Sequence, residues 1–304
     1  MTAGAGLCAT PAQAQEESAL QRVKRTGRLT VAIYHDLPPF HVKGKGIGVD
    51  LGAALAAKLG VQLSLLPFAA GENMEDDLRN MVWRGHYLGY GPADLMLQVP
   101  IDKRLIAATG QVEFLSPYYR HQLGWLVHDQ IATTDLRNFQ LEGLSLAAEI
   151  GTAAAGALLG QGGGQYRSAV KLQNNGVDAA LGVLNSQWDA AYVTRAQAES
   201  ALAQAQNKRA ARFEPMVLQG TPANGWAVGM AVKKEATDLA QALQAAVNEL
   251  GRGGQLQQMF ARHKAARQMR RGGPPPEHAQ TLPPATAGVT REWAMLSHAP
   301  TPPP

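Results

Sequence analysis

Arg104 follows closely on the apolar run Asp94-Leu95-Met96-Leu97-Gln98-Val99. That run reads as a strand, and open α/β sheets bind their ligands beyond the C-terminal ends of strands. A guanidinium fork placed there grips a carboxylate with two hydrogen bonds, a geometry lysine cannot match. The bland alternative is a surface arginine pairing Asp102 or Glu113. Gly151-Thr152 opens an Ala-rich helix, whose N-terminus offers backbone N–H groups to an anion. Glu149, just before that turn, ends a strand and either faces a cleft or is a solvated carboxylate. His35 and His41 flank Pro38-Pro39-Phe40, but two loop histidines without a third ligand make no metal site, and none is expected. Gly143-Leu144-Ser145-Leu146-Ala147 imitates a nucleophile elbow, yet Ser145 falls inside a strand rather than at a strand-to-helix turn. The chain has no phosphate-binding loop, no strand-linked dinucleotide fingerprint and no H-E-x-x-H. Gly44, Gly46 and Gly48 suit a hairpin or loop.

The elements that must carry these groups follow from hydrophobic period. Strands are expected at 29–33, 61–68 and 94–99. Between them lie a helix capped by Asp50 and stopped by Gly60, and a helix opened by Asp76-Asp77. This order implies parallel pairing with crossover helices. It then restarts, with strands at 144–148, 188–193 and 213–218, an Ala-rich helix after Thr152, a helix at 177–184 and a long helix at 195–212. A strand at 226–232 and two further helices lack a sheet of their own and must return to one of the two units.

The 304 residues suit about two domains. With 45% hydrophobic and 17% charged residues the chain can bury a core. A formal charge of +4 is too small for an electrostatic nucleic-acid coat. Cys8 is the single cysteine, so no disulfide forms within the chain. Pro11-Ala12-Gln13-Ala14 has the form of a signal-peptidase site with cleavage after Ala14, which predicts export. From Gly272 onward the Pro-rich sequence reads as a disordered tail, in which Trp293, Met295 and Leu296 are read as solvated, the alternative being a small docking motif.

Thr26-Gly27-Arg28-Leu29-Thr30-Val31-Ala32 followed by Leu37-Pro38-Pro39-Phe40 resembles the opening of bacterial extracellular solute-binding proteins of family 3, the periplasmic receptors of amino-acid importers. The resemblance runs on through Gly48-Val49-Asp50-Leu51, Asp94 to Arg104, Ser116-Pro117-Tyr118-Tyr119, Gly151-Thr152, Trp188-Asp189-Ala190-Ala191 and Gly225-Trp226-Ala227-Val228, over about residues 20–265. It implies an α/β fold of two Rossmann-like lobes joined by two crossing strands. The implied division is a leader remnant at 1–19, lobe one at 20–120 and 226–268, lobe two at 128–218, crossings at 121–127 and 219–225, and a tail at 269–304.

Carried over by residue, the resemblance makes Arg104 the carboxylate-binding arginine, Phe40 the end of a cleft-facing turn, and Gly151 and Thr152 a carboxylate-binding turn in which Ala153 replaces a threonine. Gln98 stands in the run that replaces the family's serines and threonines before the arginine. Thr194 stands where the family has an aspartate for the α-amino group. With half the amino-acid clamp missing, a small anion is expected rather than a zwitterionic amino acid. Pro117-Tyr118-Tyr119-Arg120 also looks like members associated with quinoprotein (pyrroloquinoline-quinone) alcohol dehydrogenases and their cytochromes. His35, His41, His86, Tyr87, Tyr118 and Tyr119 are then expected on the cleft rim or a partner face. The leading expectation is a periplasmic, monomeric, non-enzymatic receptor without cofactor for an ABC permease. The alternatives are an accessory protein of a periplasmic dehydrogenase and a dehydratase-like enzyme on the same fold.

Overall fold

The computed structural model describes residues 16–138, 140–205 and 210–263. The expected cleavage at Ala14, Cys8 and the Pro-rich tail lie outside them.

In chain order, α1 (Ala19–Thr26) leads to β1 (Arg28–Tyr34), a hairpin of β2 (Asp36–Leu37) and β3 (His41–Val42), α2 (Ile47–Leu59) and β4 (Gln62–Phe68). Next come α3 (Met74–Leu78), prolonged by a π-helical turn at Arg79–Trp83, then β5 (Leu95–Pro100), α4 (Lys103–Ala108), β6 (Val112–Phe114) and β7 (Tyr119–His121). The chain continues through β8 (Leu123–His128), α5 (Thr133–Arg137), β9 (Leu146–Glu149), α6 (Ala153–Gly160), β10 (Val170–Gln173), α7 (Gly176–Leu184), β11 (Ala190–Thr194), α8 (Arg195–Gln204) and β12 (Ala211–Pro215). It closes with β13 (Trp226–Lys233), α9 (Thr237–Arg252) and α10 (Gln255–Arg262).

Two sheets result. One has the order β4-β1-β5-β13-β6 with β7 also paired to β13; the other has the order β10-β9-β11-β8-β12. The expected βαβ units are present, since β1 lies parallel to both β4 and β5, and β9 parallel to both β10 and β11. Each sheet is mixed, however, because β13 and β8 run antiparallel to their neighbours. The chain passes from one sheet to the other at Gln122, between β7 and β8, and returns between β12 and β13.

Alternation along the strands sorts residues to the two faces of the first sheet. Leu29, Val31, Leu95 and Leu97 pack with α1, α2, α9 and α10, while Ala32, Tyr34 and Met96 pack with α3 and the π-helical turn. Val99 joins the second group because the ladder shifts register opposite Gly229 and Met230, leaving Gln98 as an extra residue at φ +60°. Such a bulge reverses the inward–outward sequence beyond it. The returning helix α9 buries Leu239, Leu243, Val247 and Leu250 along one stripe, each contributing about 1.5–3 kcal/mol by leaving water.

Two local expectations are corrected, and one strand was not foreseen. Helix α2 starts at Ile47 after Gly46, so Asp50 lies in its first turn, where it meets His263 and Arg262. The long helix expected at 195–212 stops at Gln204, and Ala211–Pro215 is instead drawn into a strand by pairing with β8. The edge strand β10 carries two exposed residues in four and shows no clean alternation, so it escapes the sequence pattern. No described helix is long and apolar enough to cross a membrane.

Candidate functional site

A cavity of about 770 Å³, counted to its open mouth, lies where the two sheets meet. One wall comes from the C-terminal ends of two adjacent parallel strands. After β9, Gly151 takes φ +75°, a left-handed turn that suits glycine, and Thr152 caps α6. After β11, Thr194 caps α8. The Thr152 hydroxyl accepts from the Ala155 N–H at 3.2 Å and donates to the Glu149 carbonyl at 2.7 Å. Thr194 forms a reciprocal capping box with Gln197, at 3.3 and 3.0 Å.

Glu149 occupies the same wall and is 5% exposed. Its Oε2 accepts from the Gln197 side-chain amide at 2.7 Å and from the Gly176 N–H at 3.0 Å. Burial pushes its pKa up to about 7; those two hydrogen bonds oppose the rise, and the charges of Asp36 and Asp178 add to it. No lysine or arginine is among the residues lining the cavity.

The opposite wall includes Tyr34 and Leu37. The Tyr34 hydroxyl donates to Asp77 at 2.8 Å, and the Gly71 N–H donates to the same carboxyl at 2.7 Å. Asp77 is 2% exposed, and burial raises its pKa to about 7. The lining is completed by residues that include His121, at the end of β7, and Trp226, at the start of β13. They are partners in the ladder, and their rings stack with centroids 4.9 Å apart. Burial lowers the His121 pKa to about 3, which keeps the ring neutral.

These shifts make a prediction about stability. Asp77 and Glu149 have folded pKa values above their unfolded ones, so the folded state binds more protons between about pH 4 and 7. Their contribution is full below that window and is lost as pH rises to 7. His121 is shifted downward and acts in the opposite sense, losing stability as pH falls below 6.5. Glu149→Gln and Asp77→Asn should therefore each gain on the native protein by up to about 1.4 kcal/mol per pH unit through the window. Urea unfolding at pH 5, 6, 7 and 8 measures this; a constant difference across pH would refute it.

Of the residues singled out in the sequence, Gly151, Thr152 and Thr194 come together on the cavity wall. Arg104 does not join them. Asp102 caps α4 and accepts from the Arg104 N–H at 2.9 Å, which sets Arg104 in an exposed first turn away from the cavity lining. Phe40 is 1% exposed and packs edge-on against Tyr119, His121 and Phe260. Gln98 is fully buried behind His121, donating to the Tyr118 hydroxyl at 2.9 Å.

Tyr118 and Tyr119, expected on the rim, are also buried. Gln98 holds the Tyr118 hydroxyl, and Phe260 of α10 stacks on Tyr119 at 4.7 Å. His41 is buried too, with Nδ1 2.8 Å from the Tyr34 carbonyl and Nε2 accepting from the Gly44 N–H at 3.1 Å, so it pins the β2–β3 hairpin. His35 is exposed and extends the ladder to Phe68 through its N–H. His86 stacks on Tyr90 at 4.3 Å within a surface loop whose tip presents Tyr87 and Leu88 to solvent.

The sequence reading did not single out Tyr34, His121, Tyr192, Gln197 or Trp226 for the site. The Thr194-to-Gln197 spacing was the one legible signal, as a capping box. The aromatic groups carried none, because each is an ordinary strand residue until the second sheet faces it.

No family model matches this chain, and no curated protein matches its sequence. Solved structures do match its fold. An amino-acid ABC transporter substrate-binding protein from Streptococcus pneumoniae, bound to L-arginine, is 23% identical with a TM-score of 0.56, covering 81% of this chain and 98% of that one. The cysteine-binding protein of Campylobacter jejuni is 16% identical with a TM-score of 0.55, covering 81% and 92%. An ancestral amino-acid-binding protein, a precursor of cyclohexadienyl dehydratase, is 18% identical with a TM-score of 0.53, covering 81% and 99%. These likenesses establish the two-lobed α/β fold of periplasmic binding proteins.

Proposed function

We propose that this chain is a solute-binding protein of the extracellular family 3 type, a monomeric periplasmic receptor that captures a small molecule for an ABC importer. The observation that carries this reading is the make-up of the cavity. Its lining takes residues from both sheets, among them His121 and Leu123 on either side of the first passage between the sheets and Trp226 just after the second. A molecule held there touches both lobes at once, beside the passages between the sheets, which is where lobe closure by hinge motion would act. The structural relatives, receptors of amino-acid importers among them, support the same role. The exposed Tyr87 and Leu88 supply an aromatic and an apolar anchor for a protein partner, whether permease or dehydrogenase.

The test is a thermal-shift screen of amino acids, amines, carboxylates and alcohols, with small-angle scattering on each hit. A receptor gains melting temperature with its ligand and contracts as the lobes close. Absence of any stabilising compound, or stabilisation with no change in radius of gyration, would overturn the reading.

A further inference from the structure

We propose that the cavity selects a small organic cation, an amine with an apolar body and no carboxylate, paired to Glu149; this rests on the receptor reading above. The two oxygens of that carboxyl differ in what they meet. Both protein donors, the Gln197 amide and the Gly176 N–H, converge on Oε2. Oε1 accepts no hydrogen bond from the described residues, so it is the acceptor that Glu149 offers to a guest. A buried carboxylate lacking a counter-ion is costly, and a cation brought in by a ligand removes that cost.

The charged side chains nearest Glu149 have the same sign, set against the positive N-terminal ends of α6 and α8 on that wall. Asp36 on β2 and Asp178 in the first turn of α7 both add negative potential at Glu149, and Gln197 of α8 contributes only a neutral amide. Among the described residues no lysine or arginine lines the cavity to receive a carboxylate, Arg104 being exposed on α4, and burial keeps the His121 ring neutral. Tyr34, Tyr192 and Trp226 supply aromatic lining, suited to the apolar body of an amine and to its charge.

The competing account is that Glu149 is purely a structural tie between β9 and the N-terminal ends of α7 and α8. Three probes of one shape and different charge separate the accounts: phenethylamine, phenylalanine and 3-phenylpropanoate, titrated calorimetrically into the full chain. At pH 8 the amine should bind, the amino acid about tenfold more weakly or worse, and the carboxylate without measurable heat. Because the amine requires Glu149 ionised, its affinity should fall about tenfold from pH 8 to pH 6. Glu149→Gln, checked for folding by circular dichroism, should lose at least about tenfold at pH 8 and lose the pH dependence with it.

Tighter binding of the carboxylate or the amino acid overturns the amine assignment while leaving the receptor reading in place. So does amine binding indifferent to both pH and Glu149→Gln. Failure of all three probes overturns the assignment as well, and the wider screen then judges the receptor reading by itself.

Discussion

Phe40→Ala is expected to lower the stability of the protein by about 3–5 kcal/mol, the range for truncating a fully buried phenylalanine. The ring is 1% exposed and sits where β3, the first crossing and α10 converge, with Tyr119, His121 and Phe260 at centroid distances of 5.6, 5.3 and 6.4 Å. Removing it leaves a void that three aromatic rings border and that none can fill without abandoning its own packing. Phe40→Leu, which retains most of the volume, should cost markedly less. Denaturant melts of both variants measure the effect. If Phe40→Ala unfolded at the native midpoint while its ligand affinity collapsed, Phe40 would belong to the cleft after all.

Gly225→Ala should destabilise by about 2–5 kcal/mol through two separable causes. Gly225 has φ +62°, a conformation that costs an L-residue energy by itself. A Cβ there would lie 1.8 Å from the His121 carbonyl oxygen, which is backbone and cannot rotate away. This is the place where the two crossings touch, one residue before Trp226 pairs with His121. The substitution should therefore also disturb the cavity floor. Gly220→Ala is a useful control, since Gly220 has φ +90° but no atom within 4 Å of its Cβ position. If the two variants melted together, the contact with His121 would carry no weight.

Much of the architecture was legible because it depends on local pattern. Residues 29–33 and 94–99 are apolar runs bounded by turn residues, and they became central strands β1 and β5. Gly60 stops α2 in the left-handed conformation its position suggested. The Gly151-Thr152 turn opens a helix, as the small residues after it imply. Caps, stops and strand runs act over a few residues, so a linear reading can find them.

The candidate site was legible only in its caps. Arg104 is close in sequence to a strand end, but the neighbouring Asp102 cap rotates it to the surface. Tyr118 and Tyr119 look like rim aromatics until Gln98 and Phe260, far apart in the chain, cover them. Glu149 reads as a solvated strand-end carboxylate until Gln197 and Gly176, from two later helices, close over it. Periodicity reports which face of an element a residue occupies. What buries that face, and what charge it then meets, is decided by elements tens of residues away, and these are set by the return of β13, α9 and α10 to the first sheet and by the meeting of the two lobes.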